Sequence, residues 1–179
     1  MGRTRARPAK AKNRLREIGE QLKSNNLEKR LAAVDSLDEF RGKEAASLLV
    51  RTLHDESWHV RSHAARILGR FGRSTMPSLL KALSEGVWYV RAAASLALGE
   101  LGDVEAVDSL LLLVDEENRT VRKEAREAIS KIVKRNPQLF LREYLDKREE
   151  ESRRAFLEKL KSMDEEAYES VSPAEEEAL

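Results

Sequence analysis

Read as a string of apolar and polar positions, the chain repeats itself about every thirty residues. The plainest copies are Val60 to Gly72 and Val90 to Gly102, each a Val-Arg pair followed by small and apolar residues at spacings of three and four. A third pair stands at Val121-Arg122, so the markers Arg61, Arg91 and Arg122 lie 30 and 31 residues apart. The same step backward reaches Arg30 and forward reaches Arg153. Five units therefore fit the chain, and a sustained period of this length signals stacked repeats.

Register against these arginines separates two helices per unit. Eight residues before the marker come Leu22, Leu53, Leu83, Val114 and Leu145; twelve before come Ile18, Leu49, Leu79, Leu110 and Leu141. A spacing of four places each such pair on one face of a first helix. Three residues after the marker come Ala33, Ala64, Ala94, Ala125 and Phe156; seven after come Leu37, Leu68, Leu98, Ile129 and Leu160. This is the inward stripe of a second helix, with alanines small enough to let a neighbouring helix approach. No helix buries its stripe alone, but stacked pairs make one continuous core.

The punctuation agrees with the periodicity. Gly42, Gly72 and Gly102 are expected as left-handed residues closing second helices, and Asn25, Ser57 and Asn118 as N-caps opening them. Asn136-Pro137 reads as an N-cap followed by proline at the first helical position. Gly69 and Gly99 fall within helices, where glycine costs about 1 kcal/mol relative to alanine, so close helix packing is expected there. The units are taken as 11–42, 43–72, 73–102, 103–135 and 136–163. Residues 1–10, basic and aperiodic, are expected to form a disordered arm, and residues 164–179 an acidic, frayed tail.

Charge changes the picture more than size does. The formal net charge is only +1, yet the two ends are opposed. Arg3, Arg5, Arg7, Lys10, Lys12, Arg14 and Arg16 crowd the first sixteen residues without an acid, while residues 164–179 carry seven acids and no base. Aromatics are 5% of the chain, so the core must be built from Leu, Ala, Val and Ile. The absence of cysteine excludes disulfides, thiolate metal sites and cysteine catalysis. There is no apolar run near 18 residues and no signal-like segment, so a soluble cytoplasmic protein is expected, with no membrane contact.

With the register laid out, the VRxxAAxxLGxxG wording of Val60 to Gly72, closely followed by Val90 to Gly102, is similar to the short HEAT-like repeat of bilin-lyase type. The match weakens outward, from fair in units one and four to weak in unit five. The resemblance implies an all-α fold, an α-solenoid of about five antiparallel helix pairs with second helices lining the concave face. It implies no function, because this scaffold hosts enzymes, chaperone-like factors and adaptors. Deoxyhypusine hydroxylases, which are also HEAT-repeat proteins, hold two irons with recurrent His-Glu pairs, and this sequence has no His-Glu dipeptide. Repeat-level likeness to bilin lyases carries over no pigment site. HEAT-like alkylpurine DNA glycosylases use an aromatic and acidic cleft; Trp58, Trp88 and Arg66 match part of it, but no acid stands beside them in register.

The candidate chemistry is therefore weighed residue by residue. Arg30, Arg61, Arg91, Arg122 and Arg153 resemble a phosphate ladder, but Asp55, Glu85 and Glu116 each precede a marker by six residues. Bidentate arginine-carboxylate pairs pinning the stack are the preferred reading. Trp58 and Trp88 share one repeat position, either as binding anchors or as packing at the inter-helix turn. His59 and His63 are four apart, with His54 and Asp55 nearby, but solvated histidines are preferred over zinc, and no metal or cofactor is expected.

On the second helices, the central unit offers Ala92, Ala93 and Leu96, with Tyr89 beside them, and the flanking units offer His63, Arg66, Lys123 and Glu124. An apolar centre rimmed by charge is how a protein-binding groove is arranged. The expected function is thus a non-enzymatic module binding a protein partner through Trp58, His63, Arg66, Trp88, Tyr89, Ala92, Ala93, Leu96, Lys123 and Glu124. The alternative is nucleic-acid association through the basic arm, with Arg66, Arg70 and Arg73 contributing. The arm reads equally as a solubilising end or as a partner for the acidic tail of another copy. An enzyme or pigment-binding protein is the third class.

Overall fold

The computed structural model describes residues 8–172, which are helical throughout, with no strand among them. Five helix pairs follow in order: α1 (Pro8–Gln21) with α2 (Leu27–Leu37), α3 (Lys43–Thr52) with α4 (Trp58–Gly69), and α5 (Met76–Glu85) with α6 (Trp88–Leu101). Then come α7 (Val107–Leu111) with α8 (Arg119–Arg135), and α9 (Pro137–Phe140) with α10 (Glu150–Met163). Short 3-10 turns lead into α5 and α7, a π turn at Leu141–Leu145 prolongs α9, and α11 (Glu165–Glu169) closes the stack. No described helix is long and apolar enough to cross a membrane.

The stripes meet in one core. Ile18, Leu49, Leu79 and Leu110 from first helices, and Ala33, Ala64, Ala94 and Ala125 from second helices, are fully buried. Leu37, Leu68, Leu98, Ile129 and Leu160 complete the inner rows. Second helices pack against one another more closely than first helices do, so the stack curves with the second helices on its inner side. Glycine makes that closeness possible. A Cβ on Gly99 would fall 2.8 Å from the Ala128 Cα, and one on Gly69 would fall 2.3 Å from the Glu100 Cβ.

Local chemistry departs from the sequence expectation at several points. The second helix of unit one is capped by Asn26, not Asn25: its side chain accepts from the Lys29 N–H at 3.0 Å. Of the three punctuating glycines only Gly102 is a left-handed helix cap, with φ 72° and ψ 25°. Gly42 and Gly72 also have positive φ, but α2 and α4 have already ended, and these residues introduce the next unit. In unit five Phe140, not Leu141, is the fully buried residue. The π turn that follows adds a residue to the helical turn and shifts the register by one position.

The ends also differ. Helix α1 begins at Pro8, inside the stretch expected as an arm, with proline at a helix start where its missing N–H costs nothing. At the other end Asp164 caps α11, and Ala167 and Val171 are buried. The acidic tail is therefore packed onto the solenoid as far as Ser172. Asp164 is the hinge of that packing, accepting from Ser130 Oγ, from Lys134 Nζ at 2.9 Å and from the Ala167 N–H at 3.0 Å. Partial burial opposes its ionisation, but these three donors prevail and hold the carboxyl at about 2.

Candidate protein-interaction surface

The marker arginines stand in the first turn of each second helix, and four of them reach back to carbonyls of the turn that precedes it, which have no helical partner. Arg30 donates to Ser24 O at 2.9 Å, Arg61 to Glu56 O at 2.9 Å, Arg91 to Gly86 O at 3.1 Å, and Arg122 to Glu116 O at 2.6 Å. Two of them also bridge to the next unit. Arg30 grips Asp55 through Nε at 2.8 Å and Nη2 at 3.2 Å, and Arg91 reaches Glu116 at 3.1 Å. Arg153 lies 4.0 Å from Asp146 of its own unit.

The ladder is interrupted for a legible reason. The residue 25 positions after the marker is Asp55 and Glu116 where the bridge forms, but Gly86 and Lys147 where it does not. Glu85, expected as a rung, pairs instead with Lys81 at 3.7 Å. Arg61 turns to aromatic rings. Its guanidinium carbon lies 5.6 Å from the centre of Trp58 and 4.9 Å from that of Tyr89 in the next unit, and burial lowers its affinity for the proton.

This places an aromatic ridge along the turn edge of units two and three. Tyr89 meets Trp88 edge to face, with ring centres 5.6 Å apart. Trp58 and Tyr89 are half-buried, whereas Trp88 is 46% exposed and its neighbour Val87 50%. Val87 is also the N-cap of α6 and makes no side-chain cap bond. The matching position holds Asn26, Ser57 and Asn118 in units one, two and four. Valine is among the poorest N-caps, so this unit gives up local stability while displaying an apolar side chain. That signal is readable in the sequence, since Val87 stands four residues before a marker. Among the described residues the most exposed large apolar side chain, Leu112 at 83%, lies at the end of α7 and has no comparable sequence signature.

The inner face differs from the groove expected. Ala92 and Ala93 are fully buried and so cannot form its apolar centre. They are consumed by the close approach of α4 and α8 to α6. What remains open is a line of half-exposed Leu96 and exposed Arg66, Lys123 and Glu127. His63 is turned toward the preceding unit, its Nε2 2.6 Å from Asp35 Oδ1. Glu124 is only 6% exposed. Burial raises its pKa and Glu127 adds to the rise, which Lys123 and Arg66 offset in part.

Other candidates separate. Of the groove arginines, Arg70 is engaged by Asp38 at 3.1 Å, and Arg73 by Asp103 at 2.6 Å and Glu105 at 2.5 Å. Arg66 lacks an ion-pair partner among the described residues. Lys10, Lys12, Arg14 and Arg16 project from α1, whereas Arg3, Arg5 and Arg7 lie outside the described residues. Among the described residues no three His, Asp or Glu side chains converge as metal ligands would. One ionisable cluster resembles catalytic machinery. The Tyr144 hydroxyl donates to Asp108 at 2.7 Å, beneath an Arg148 guanidinium that lies 3.9 Å from its ring and also bonds Asp108. Burial, with the Asp108 bond second, raises the Tyr144 pKa. The phenol, held protonated and facing a carboxylate, ties unit five to α7.

Comparison with known proteins places this geometry. A family model described as HEAT repeats matches residues 15–85 and again 76–161. Human deoxyhypusine hydroxylase, solved in complex with glycerol, is similar over 77% of this chain and 49% of its own, at 22% identity and a TM-score of 0.58. The chain thus spans about half the length of that enzyme. The complex of CpcE and CpcF of phycocyanin lyase from a Nostoc species matches 86% of this chain and 66% of its own, at 22% identity and TM-score 0.49. A designed armadillo repeat protein matches 88% and 82%, at 21% identity and TM-score 0.49. No curated protein matches the sequence.

Proposed function

The chain belongs to the HEAT-repeat family, and from that premise we propose that it is a non-enzymatic scaffold binding a protein partner along the ridge of Trp58, Tyr89, Trp88 and Val87. The adjoining inner-face residues Arg66, Leu96 and Lys123 orient the partner. One observation carries the reading. In unit three a poor N-cap, Val87, sits beside a half-exposed tryptophan, so that two large apolar side chains are exposed side by side. Rigid aromatics with an apolar body and a polar tip are the usual anchors of protein interfaces. The Arg61 guanidinium between Trp58 and Tyr89 fixes the ridge before any partner arrives, which limits the ordering cost of binding.

The reading is tested by selecting peptides from a random displayed library on the full-length protein, then measuring the selected peptides on variants. Trp88→Ala is expected to weaken the dominant peptides at least tenfold. Val87→Ser is expected to weaken them while raising the melting temperature, because serine supplies the missing cap at a gain of about 1 kcal/mol. Peptides indifferent to both substitutions would remove the ridge from consideration, and their sensitivity to Leu96→Glu would then show whether the inner face is the site.

A further inference from the structure

The face opposite the second helices holds a trough that the ridge does not involve. Between α1 and α3, at the start of the stack, one cleft of about 800 Å³ runs into another of about 380 Å³, and the two share Leu15, Arg16 and Leu48. Leu15, Gly19 and Leu48 form a half-buried floor. Lys12, Arg16, Lys43 and Arg51 stand exposed around it and outnumber the exposed acids of the rim, Glu44 and the Lys23-paired Glu20. None of these four has a carboxylate within ion-pair distance among the described residues, although most other surface cations on the stack do.

The other end of the molecule has the opposite sign. Glu165 and Glu169 are exposed on α11 without an ion-pair partner among the described residues, and the sequence continues through Glu175, Glu176 and Glu177 between alanines. Helix α11 and the trough stand at opposite ends of the stack, about four helix-pair spacings apart, roughly 35 Å at 8–10 Å each.

We propose that the acidic end of a second copy, residues 165–179, docks in the α1–α3 trough, so that copies associate head to tail. The glutamates meet the unpaired rim cations. An apolar floor, with Phe40 at its side, favours such a segment over a phosphate backbone. Because the two surfaces differ, the contact is heterologous and repeats from copy to copy. Exposed ion pairs are individually weak and screened by salt, so the association is modest and salt-sensitive.

A charge swap with the full-length protein tests this, each variant being checked for its helical circular-dichroism spectrum and melting temperature. In sedimentation velocity at low salt, the wild type is expected to show species larger than a monomer that grow with concentration. Lys12→Glu/Arg16→Glu/Lys43→Glu and Glu175→Lys/Glu176→Lys/Glu177→Lys are each expected to sediment as monomers, with association at least tenfold weaker. An equimolar mixture of the two is expected to associate again. A wild type that stays monomeric, or variants that associate undiminished, would overturn the proposal. So would a mixture without recovery, or loss only of duplex-DNA binding in the trough variant. Peptide binding at Trp88 is read separately, and neither result decides the other.

Discussion

The sharpest consequence of the packing concerns three glycines, whose replacement by alanine should change stability with different signs. On helix propensity alone each replacement stabilises, by up to about 1 kcal/mol. At Gly19 little opposes this gain: the new methyl would meet only the tip of Leu48, its Cδ2, at 3.4 Å. Gly99 is different. Its methyl would lie 2.8 Å from the Cα and 3.0 Å from the Cβ of Ala128, where the ordinary separation is above 3.4 Å. A backbone cannot rotate away as a leucine tip can, so α6 and α8 must part by several tenths of an ångström along their contact. Overpacking of this kind costs about 1–3 kcal/mol, against a propensity gain of about 1.

We therefore expect Gly99→Ala to lose up to about 2 kcal/mol and Gly19→Ala to gain up to about 1. Gly69→Ala, whose methyl would fall 2.3 Å from the Glu100 Cβ and 2.9 Å from its carbonyl carbon, should lose at least as much as Gly99→Ala. In a chain of this size each kcal/mol moves the melting temperature by about 2–4 °C. Urea denaturation followed by circular dichroism, with a melting curve for each variant, resolves the signs. If Gly99→Ala proved as stable as the parent or more so, the close approach of second helices would be refuted, and with it the curvature of the stack.

Three further predictions follow from the ion pairs. Arg30 and Asp55 have side chains 7% and 9% exposed, and Asp55 also accepts from the Ser57 N–H at 2.8 Å. Asp55→Ala should cost up to about 3 kcal/mol by leaving the buried guanidinium only the exposed Glu56, at 3.0 Å, as its carboxylate, and Arg30→Met added to it should recover part of that loss in denaturant titration. The Asp164 pKa is depressed from 3.8 to about 2, so its contribution is full above the unfolded value and disappears as pH falls through about 2. With the side chain still 22% exposed, we assign it about 1–2 kcal/mol; Asp164→Ala should lose this at pH 7 and only a small part of it at pH 2, and hydrogen exchange should localise the loss to α11. Glu124 has the opposite sign: its raised pKa means that ionisation opposes folding, so stability falls as pH rises through the folded value. Glu124→Gln should raise the melting temperature at pH 7, and the gain should vanish at pH 3.

The solenoid itself was legible because its signals are local. An i, i+4 stripe on Leu49 and Leu53, or on Ala64 and Leu68, marks a helix face wherever the helix ends up, and a thirty-residue period says that the next face is the same. Gly69 and Gly99 could be read as close contacts for a related reason, since a costly residue inside a helix requires compensation. Which partner covers a given face is not local. Arg30 finds its acid 25 residues ahead in the next unit, while Arg61, with glycine at that distance, finds a tyrosine ring. Ala92 and Ala93 read as an open apolar centre, yet they are sealed between α4 and α8 because alanine and glycine let the helices approach that closely. The trough between α1 and α3 needs two helices a full repeat apart, and the π turn that buries Phe140 rather than Leu141 depends on how unit five docks. Periodicity determined the repeat and its core; inter-helix distance, set by the packing of all the side chains together, decided which surface was left for a partner.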